Sequence, residues 1–106
     1  MKPGVAIYSS DPETVWNVFR LGVFSLKQGD AVSVFLLGKG VKVESLDTSQ
    51  FKINEQMRSF VDAGGVITAC GTCLKLHNSE GLEICPVSTM KDLYSLIRES
   101  DRVVTF

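Results

Sequence analysis

The side chains best suited to chemistry in this chain lie in one short segment. Cys70 and Cys73 form a C-x-x-C pair, His77 follows them, and Cys85 completes a set of three cysteines and one histidine within sixteen residues. Thiolates attack disulfides, sulfane sulfur and electrophilic carbon, and both thiolates and imidazoles bind zinc. The segment therefore suggests either thiol chemistry or a metal site.

The first hypothesis is persulfide or thiol–disulfide chemistry on Cys70. The apolar residues 66–69 predict a buried strand that ends at Cys70, and a short helix is expected after it. A cysteine in that position lies near unpaired backbone N–H groups and the positive end of the helix dipole, which both stabilise a thiolate. Gly71 would let the backbone approach a bound substrate. Cys73 would then resolve a mixed disulfide or accept a transferred sulfur.

The second hypothesis is a structural zinc site that uses Cys70, Cys73, His77 and Cys85 as ligands. The ligand set is chemically complete, although Cys85 would end a fourth strand and would have to fold back onto the turn. Ordinary structural roles also fit, since a buried cysteine packs as a small hydrophobe and His77 lies in a polar run. We assign the chemistry to Cys70 and Cys73 and no residue to a metal.

Composition and charge argue against several classes of protein. The 106 residues are 44% hydrophobic and carry a net charge of −1, which suits one globular domain spanning residues 1–106. This charge gives no electrostatic basis for binding nucleic acid or an anionic membrane. No apolar run is long enough to cross a bilayer, and the first residues do not resemble a signal peptide. We expect a cytoplasmic protein with reduced thiols.

The apolar patterns along the chain predict the elements that position the cysteines. Asp11 suits a helix N-cap and Pro12 the first helical position, while the polar residues 42–52 predict an irregular, flexible excursion. Predicted strands cover 4–8, 31–37, 66–69, 82–85 and 102–106, and predicted helices cover 12–27, 54–63, about 73–78 and a segment that begins at Ser88 or Thr89. Strict alternation of this kind predicts an α/β fold, a three-layer α/β/α sandwich around a five-stranded parallel sheet of flavodoxin-like topology.

Binding sites of parallel sheets form at the carboxyl ends of the strands. Three predicted loops begin there: one after each of the first two strands, and the cysteine turn after the third. We expect them to line a substrate pocket formed by Ser9, Ser10, Gly38, Lys39, Gly40, Gly71 and Thr72. The Gly-Lys-Gly stretch is expected to be a tight loop. It lacks the spacing of a phosphate-binding P-loop and the third glycine of a dinucleotide fingerprint, so no cofactor is expected.

Several segments together carry a family resemblance. They are the strand 32–37 with the following Gly-Lys-Gly-Val, the A-C-G-T-C turn at 69–73, the Met90-x-x-Leu93 pair and the closing strand 101–106. Their combination, which spans essentially the whole chain, resembles the DsrE/DsrF-like (YchN-like) family. The C-G-T-C turn and the closing strand are the most specific parts of this resemblance.

The resemblance implies a fold, an assembly and a chemistry. The implied fold is a three-layer sandwich with a five-stranded parallel sheet, and the implied assembly is a homo-oligomer, commonly a trimer or a hexamer. The implied chemistry is intracellular sulfur relay, in which a cysteine at the end of the third strand carries a persulfide. That cysteine corresponds to Cys70, and Cys73 is an additional thiol that only some members carry. Many members have Arg-Gly soon after the turn, where this chain has Leu76-His77-Asn78.

We therefore expect a sulfur-relay protein with a persulfide on Cys70 and with Cys73 as the resolving or relay thiol. Its expected partners are further copies of itself and proteins that donate or accept sulfur. Two alternatives stay open at this point. One is a non-catalytic homo-oligomer that binds a small ligand in the same cleft, and the other is the zinc site.

Overall fold

The computed structural model describes residues 1–77 and 87–106, in which strands and helices alternate. Within these ranges, none of the helices has the length and apolar character that a bilayer crossing requires. The predicted strand 82–85 and Cys85 lie outside the described residues. The described strands are β1 (Pro3–Ile7), β2 (Ser33–Leu36), β3 (Val66–Cys70), β4 (Val87–Ser88) and β5 (Arg102–Thr105), and the helices are α1 (Pro12–Lys27), α2 (Ile53–Asp62), α3 (Gly71–Leu76) and α4 (Met90–Glu99), with a 3-10 helix at Gly38–Ser45.

The five strands form one parallel sheet in the order β4-β3-β2-β1-β5. This confirms the predicted α/β sandwich with a five-stranded parallel sheet. The order differs from the flavodoxin order 2-1-3-4-5. Here β5 lies beside β1 at one edge of the sheet, and β4 lies beside β3 at the other edge. Strict alternation predicts that strands are parallel but not which edge each one joins. Because β1, β2 and β3 are neighbours, their carboxyl ends lie side by side.

Helices α1 and α2 pack together on one face of the sheet. The rings of Phe19 and Phe60 meet edge to face with their centroids 5.6 Å apart, and both side chains are fully buried. Gly22 makes this approach possible, because a Cβ atom there would lie 2.7 Å from the Phe60 ring. This face carries the larger part of the core.

Helix α4 lies on the opposite face, because the connection from β4 to β5 runs back across the sheet. Its Leu96 packs with Phe35 of β2 and Cys70 of β3 in a second, smaller cluster. A Cβ atom on Gly4 of β1 would lie 2.6 Å from the Leu96 side chain, so the glycine allows the helix to approach the sheet closely. Helix α4 thus covers the end of β3 on that face.

Helix caps occur where the sequence indicates them. The Asp11 carboxylate accepts hydrogen bonds from the backbone N–H and the hydroxyl of Thr14, each at 2.9 Å. The backbone hydrogen bond and then the hydroxyl lower the pKa of Asp11. At the other end of α1, Gly29 adopts a positive φ of 93°, which a residue without a side chain adopts at little cost. These caps explain why the predicted bounds of α1 match the observed ones.

The stretch after β2 differs from its prediction. The expected tight loop and the first part of the expected flexible excursion form the 3-10 helix Gly38–Ser45, with Val41 and Val43 fully buried. Further along, the Phe51 ring packs on Trp16 of α1 at a centroid distance of 5.3 Å. A 3-10 helix has three residues per turn, so its apolar residues do not recur at α-helical spacing. Because polar residues surround these apolar ones, the sequence pattern did not predict that this segment packs on the core.

Candidate functional site

Cys70 stands where β3 passes into α3. It is the last residue of the strand and the N-cap of the helix, with extended backbone angles of φ −65° and ψ 117°. Its side chain is 3% exposed and packs with Phe35 and Leu96, while Leu37 and Leu93 pack around the same cluster. Cys70 is a free thiol in a nearly closed apolar environment.

Cys73 is the second free thiol of the turn, and it is more accessible. It lies in the first turn of α3, is half-buried, and packs against the cluster that contains Cys70. Helix α3 begins and ends two residues earlier than the span of about 73–78 predicted from the sequence, and Asn78 lies outside the described residues. Because α3 has fewer than two turns, as the sequence predicted, its dipole contributes little to thiolate stabilisation.

Opposing influences act on the ionisation of Cys73. A hydrogen bond from the backbone N–H of Gly38 lowers the pKa of Cys73, whereas burial, the hydrogen bond to Cys70 and the charge of Cys70 raise it. The raising influences prevail, so the pKa of Cys73 lies above that of an ordinary thiol. Cys73 therefore keeps its proton at neutral pH and can donate it towards the neighbouring Cys70 sulfur.

The loops that follow β1 and β2 meet the cysteine turn at the carboxyl ends of the strands. Leu37 donates its backbone N–H to the carbonyl oxygen of Ile7 at 3.0 Å, which ties the end of β2 to the end of β1. The next residue, Gly38, has a φ of 56° and directs its N–H to Cys73. The predicted proximity of the loops after β1, β2 and β3 is therefore present in the structure.

Only some of the predicted pocket residues lie against the cysteines. Gly38 contacts Cys73 as described, and Gly71 is the first residue of α3, directly after Cys70. A Cβ atom on Gly71 would lie 3.0 Å from a methyl carbon of Val87 in β4. This glycine therefore lets β4 pack closely against the cysteine turn, while the neighbouring Thr72 is exposed.

The other predicted pocket residues have structural contacts or face solvent. Gly40 is buried, and a Cβ atom there would lie 2.8 Å from the carbonyl carbon of Ile7 and closer still to its oxygen. The Ser9 hydroxyl accepts the backbone N–H of Asp11 at 3.0 Å, so it takes part in the turn before α1. Ser10 is half-buried and Lys39 is exposed. Three cavities formed by described residues lie away from the cysteines.

The zinc hypothesis depends on a residue outside the described ranges. Among residues 1–77 and 87–106, no three histidine, cysteine or acidic side chains are grouped closely enough to hold a metal ion. The backbone N–H of His77 donates to the carbonyl oxygen of Cys73 at 3.1 Å, which closes the end of α3. Because Cys85 is not among the described residues, the four-ligand set of Cys70, Cys73, His77 and Cys85 stays a prediction.

The sequence did not identify the residues that cover Cys70. Leu93 and Leu96 recur at helical spacing in the last helix, but nothing in that spacing links them to a particular strand. Ser88 pairs with Cys70 in the register of β3 and β4, and its hydroxyl donates to the Asp92 carboxylate. The Gly38 N–H is a backbone group, so no residue pattern signals its role.

Comparisons with known proteins agree on a family. A family model described as the DsrE/DsrF-like family matches residues 5–106. An uncharacterized protein of Methanocaldococcus jannaschii is 31% identical over 100 residues, which cover 89% of this chain and 88% of that protein. An uncharacterized protein of Methanopyrus kandleri is 27% identical over 100 residues, which cover 89% of this chain and 83% of that protein.

Two solved structures share the fold at low sequence identity. The YchN protein of E. coli superposes with a TM-score of 0.83 at 18% identity, over 100% of both chains. A conserved protein of unknown function from Bacteroides thetaiotaomicron superposes with a TM-score of 0.80 at 18% identity, over 99% of this chain and 94% of that one. With the family match over nearly the whole chain, these comparisons confirm the resemblance seen in the sequence: the chain belongs to the DsrE/DsrF-like family.

Proposed function

We propose that this protein handles sulfane sulfur through a persulfide on Cys70, with Cys73 as its partner thiol. The observation that carries the proposal is the position of the two free thiols: Cys70 ends β3 inside an apolar enclosure, and Cys73 packs against the same cluster. Membership in a family linked to sulfur relay agrees with this chemistry. A reducing compartment would keep both thiols available, so we place the protein in the cytoplasm.

The enclosure around Cys70 suits a persulfide for a physical reason. A persulfide reacts with any thiol that reaches it, so a carrier must limit access to the sulfur. Phe35 and Leu96 cover Cys70 and leave it 3% exposed, and exclusion of solvent and solutes suppresses such side reactions. Among the described residues, Cys73 is the thiol that already lies against this site. A bare binding module would have no need of this second thiol.

We also propose that the protein assembles into a homo-oligomer, a trimer or a hexamer, alongside a donor and an acceptor of sulfur. On α1, Leu21 and Phe24 are 52% and 63% exposed. Nearby, the edge strand β5 is exposed along its length, and its Val104 lines an apolar cavity with Leu21. Exposed apolar surface beside an open sheet edge is typical of a subunit interface.

Native mass spectrometry before and after treatment with glutathione persulfide tests the carrier function. We expect Cys73→Ser, in which the partner thiol cannot remove the sulfur, to gain sulfur, and we expect Cys70→Ser to gain none. Because α3 begins next to this residue, Cys70→Ala is measured in parallel, and circular dichroism establishes that both variants are folded.

Three results would contradict the proposal. The first is an absence of sulfur on Cys70 in folded Cys73→Ser. The second is equal sulfur uptake by Cys70→Ser. The third is zinc in the untreated sample that is retained by Cys70 and Cys73, which would instead favour the metal site.

A further inference from the structure

We propose that Cys73 converts the Cys70 persulfide into an internal disulfide and expels the extra sulfur as sulfide. The domain would then reduce small sulfane-sulfur compounds, such as low-molecular-weight persulfides, instead of passing the sulfur intact to another protein. This inference rests on the proposed function in one respect, namely that Cys70 accepts the sulfur. It adds the fate of that sulfur and the class of substrate.

Access to Cys70 limits which molecules can react there. Its side chain is 3% exposed beneath Leu96 and Phe35. A protein acceptor would have to insert its own thiol past these side chains. For a small persulfide, the enclosure needs to admit only a sulfur and its immediate substituent. The substrate class that fits is therefore a small molecule with a terminal or internal sulfane sulfur.

Cys73 is in place to react before any external thiol. It packs against the Cys70 cluster and is hydrogen-bonded to Cys70. Cys70 lies at the N-cap with an extended backbone, and Cys73 follows three residues later in the first turn of α3. A tethered thiol has an effective concentration of about a millimolar or more, roughly a thousandfold above a micromolar acceptor protein.

The first step loads the sulfur. The Cys70 thiolate attacks the sulfane sulfur of a donor R–S–SH, a Cys70 S–S bond forms, the donor S–S bond breaks, and R–S⁻ leaves. The product is Cys70–S–SH, and the sulfane sulfur keeps its oxidation level. The leaving thiolate takes up a proton from water.

The second step resolves the persulfide. The Cys73 thiol gives up its proton to water, and its sulfur attacks the inner sulfur of Cys70–S–SH. The Cys70–Cys73 bond forms, the bond to the outer sulfur breaks, and HS⁻ leaves with the electron pair. The two cysteine sulfurs together lose two electrons and the sulfane sulfur gains two. Hydrosulfide leaves readily because a more acidic thiol is the better leaving group.

The resulting disulfide also switches the protein off. With Cys70 and Cys73 joined, no thiolate remains in the turn to accept another sulfur. A dithiol reductant, in a separate exchange reaction, must then restore both thiols and becomes a disulfide itself. The reaction would therefore follow the supply of reducing equivalents as well as the supply of sulfane sulfur.

The test loads the reduced protein with glutathione persulfide, removes the donor by rapid gel filtration, and measures sulfide released by the isolated protein. The protein is then alkylated and digested with trypsin. Cleavage after Arg58 and Lys75 places Cys70 and Cys73 in one peptide, residues 59–75, whereas Cys85 falls in residues 76–91. The fate of the C-x-x-C pair is thus read separately from that of the third cysteine.

We expect the wild type to release sulfide and its 59–75 peptide to lose two hydrogen atoms, which marks the internal disulfide. We expect Cys73→Ser and Cys73→Ala to keep the extra sulfur on Cys70 and to release sulfide at least about tenfold more slowly, because the tethered thiol is missing. Adding dithiothreitol should then release the stored sulfur from either variant.

Two outcomes would overturn the inference while leaving the proposed function intact. In one, the wild type retains sulfur on Cys70 after donor removal and releases no sulfide. In the other, fragmentation of the 59–75 peptide finds the extra sulfur on Cys73, which would mean relay rather than resolution. A third outcome, in which neither the wild type nor Cys73→Ser takes up sulfur, would overturn the proposed function and the inference together.

Discussion

The backbone N–H of Gly38 donates a hydrogen bond to the sulfur of Cys73, which joins the end of β2 to the cysteine turn after β3. Gly38 directs this N–H from a left-handed conformation with a φ of 56°. The bond favours the thiolate of Cys73, while Cys70 and burial favour the thiol. The reactivity of the second cysteine therefore depends on the conformation of a neighbouring loop.

Replacement of Gly38 should test this dependence. There is room for a Cβ atom, since the nearest atom would be a Tyr8 carbon at 3.9 Å, so the cost is backbone strain. Gly38→Ala should lower the free energy of unfolding by about 1–2 kcal/mol, and Gly38→Asn by less, because asparagine tolerates the left-handed region. Any shift of the N–H away from Cys73 should raise the pKa of Cys73 further. Urea unfolding and the pH dependence of Cys73 alkylation measure the two effects.

Gly40 provides a test of packing at the carboxyl ends of β1 and β2. A Cβ atom there would overlap the Ile7 carbonyl group, which is backbone and cannot rotate away. Gly40→Ala should destabilise the fold by about 1–3 kcal/mol or more. The adjacent, exposed Lys39→Ala is the matched control and should change stability by less than about 0.5 kcal/mol. Equal stability of the two variants in chemical denaturation would argue against the position of the 3-10 helix.

Leu96 should control access to Cys70. Leu96 is 9% exposed and packs on Cys70, whereas Ile97 on the same helix is 52% exposed. Leu96→Ala should cost about 2–5 kcal/mol and should speed the alkylation of Cys70 in the folded protein. Ile97→Ala is the control and should leave the alkylation rate unchanged. If both variants alkylated at the wild-type rate, α4 would not be the cover of the thiol.

The N-terminus of α4 should make stability depend on pH. The Ser88 hydroxyl and then the Thr89 N–H lower the pKa of Asp92. A carboxyl group whose pKa is lowered by folding stabilises the protein above its unfolded value of about 3.9, and this contribution is lost as the pH falls through the lower, folded value. Asp92→Asn should therefore lower Tm at pH 6, and the difference from wild type should shrink as the pH approaches 3.

Thermal unfolding between pH 3 and pH 6 measures this effect. Glu99→Gln, at the other end of α4, is the control for the loss of a charge on the same helix. If the difference in Tm between Asp92→Asn and wild type were constant from pH 3 to pH 6, the hydrogen bonds to Asp92 would not contribute to stability through its charge.

The proposed assembly can be tested at β5. Val104 lines the apolar cavity beside Leu21 and faces the α1 side of the sheet. A lysine there would be buried against a second subunit at a cost of several kcal/mol if unpaired, so Val104→Lys should shift sedimentation velocity profiles towards the monomer. Lys52→Ala, on an exposed residue before α2, should leave the profile unchanged. A monomeric wild type would contradict the proposed oligomer.

Local sequence signals predicted much of the scaffold. The bounds of α1 agree with the prediction because Asp11 caps its start and Lys27 is its last residue before a glycine-containing turn. The alternation of apolar runs predicted the parallel sheet, and the run before Cys70 predicted a thiol at the junction of a strand and a helix. These features depend on neighbouring residues, and neighbouring residues can be read along the chain.

The long-range features were decided only by the tertiary structure. The position of β5 beside β1 depends on which face α4 crosses, and the packing of Leu96 on Cys70 follows from that crossing. The Gly38–Cys73 hydrogen bond needs two loops that are separated by more than thirty residues in the sequence. The sequence by itself determined which residues could react, because side-chain chemistry is local. How far each thiol is enclosed and how it ionises depend on non-local packing, which the tertiary structure alone determines.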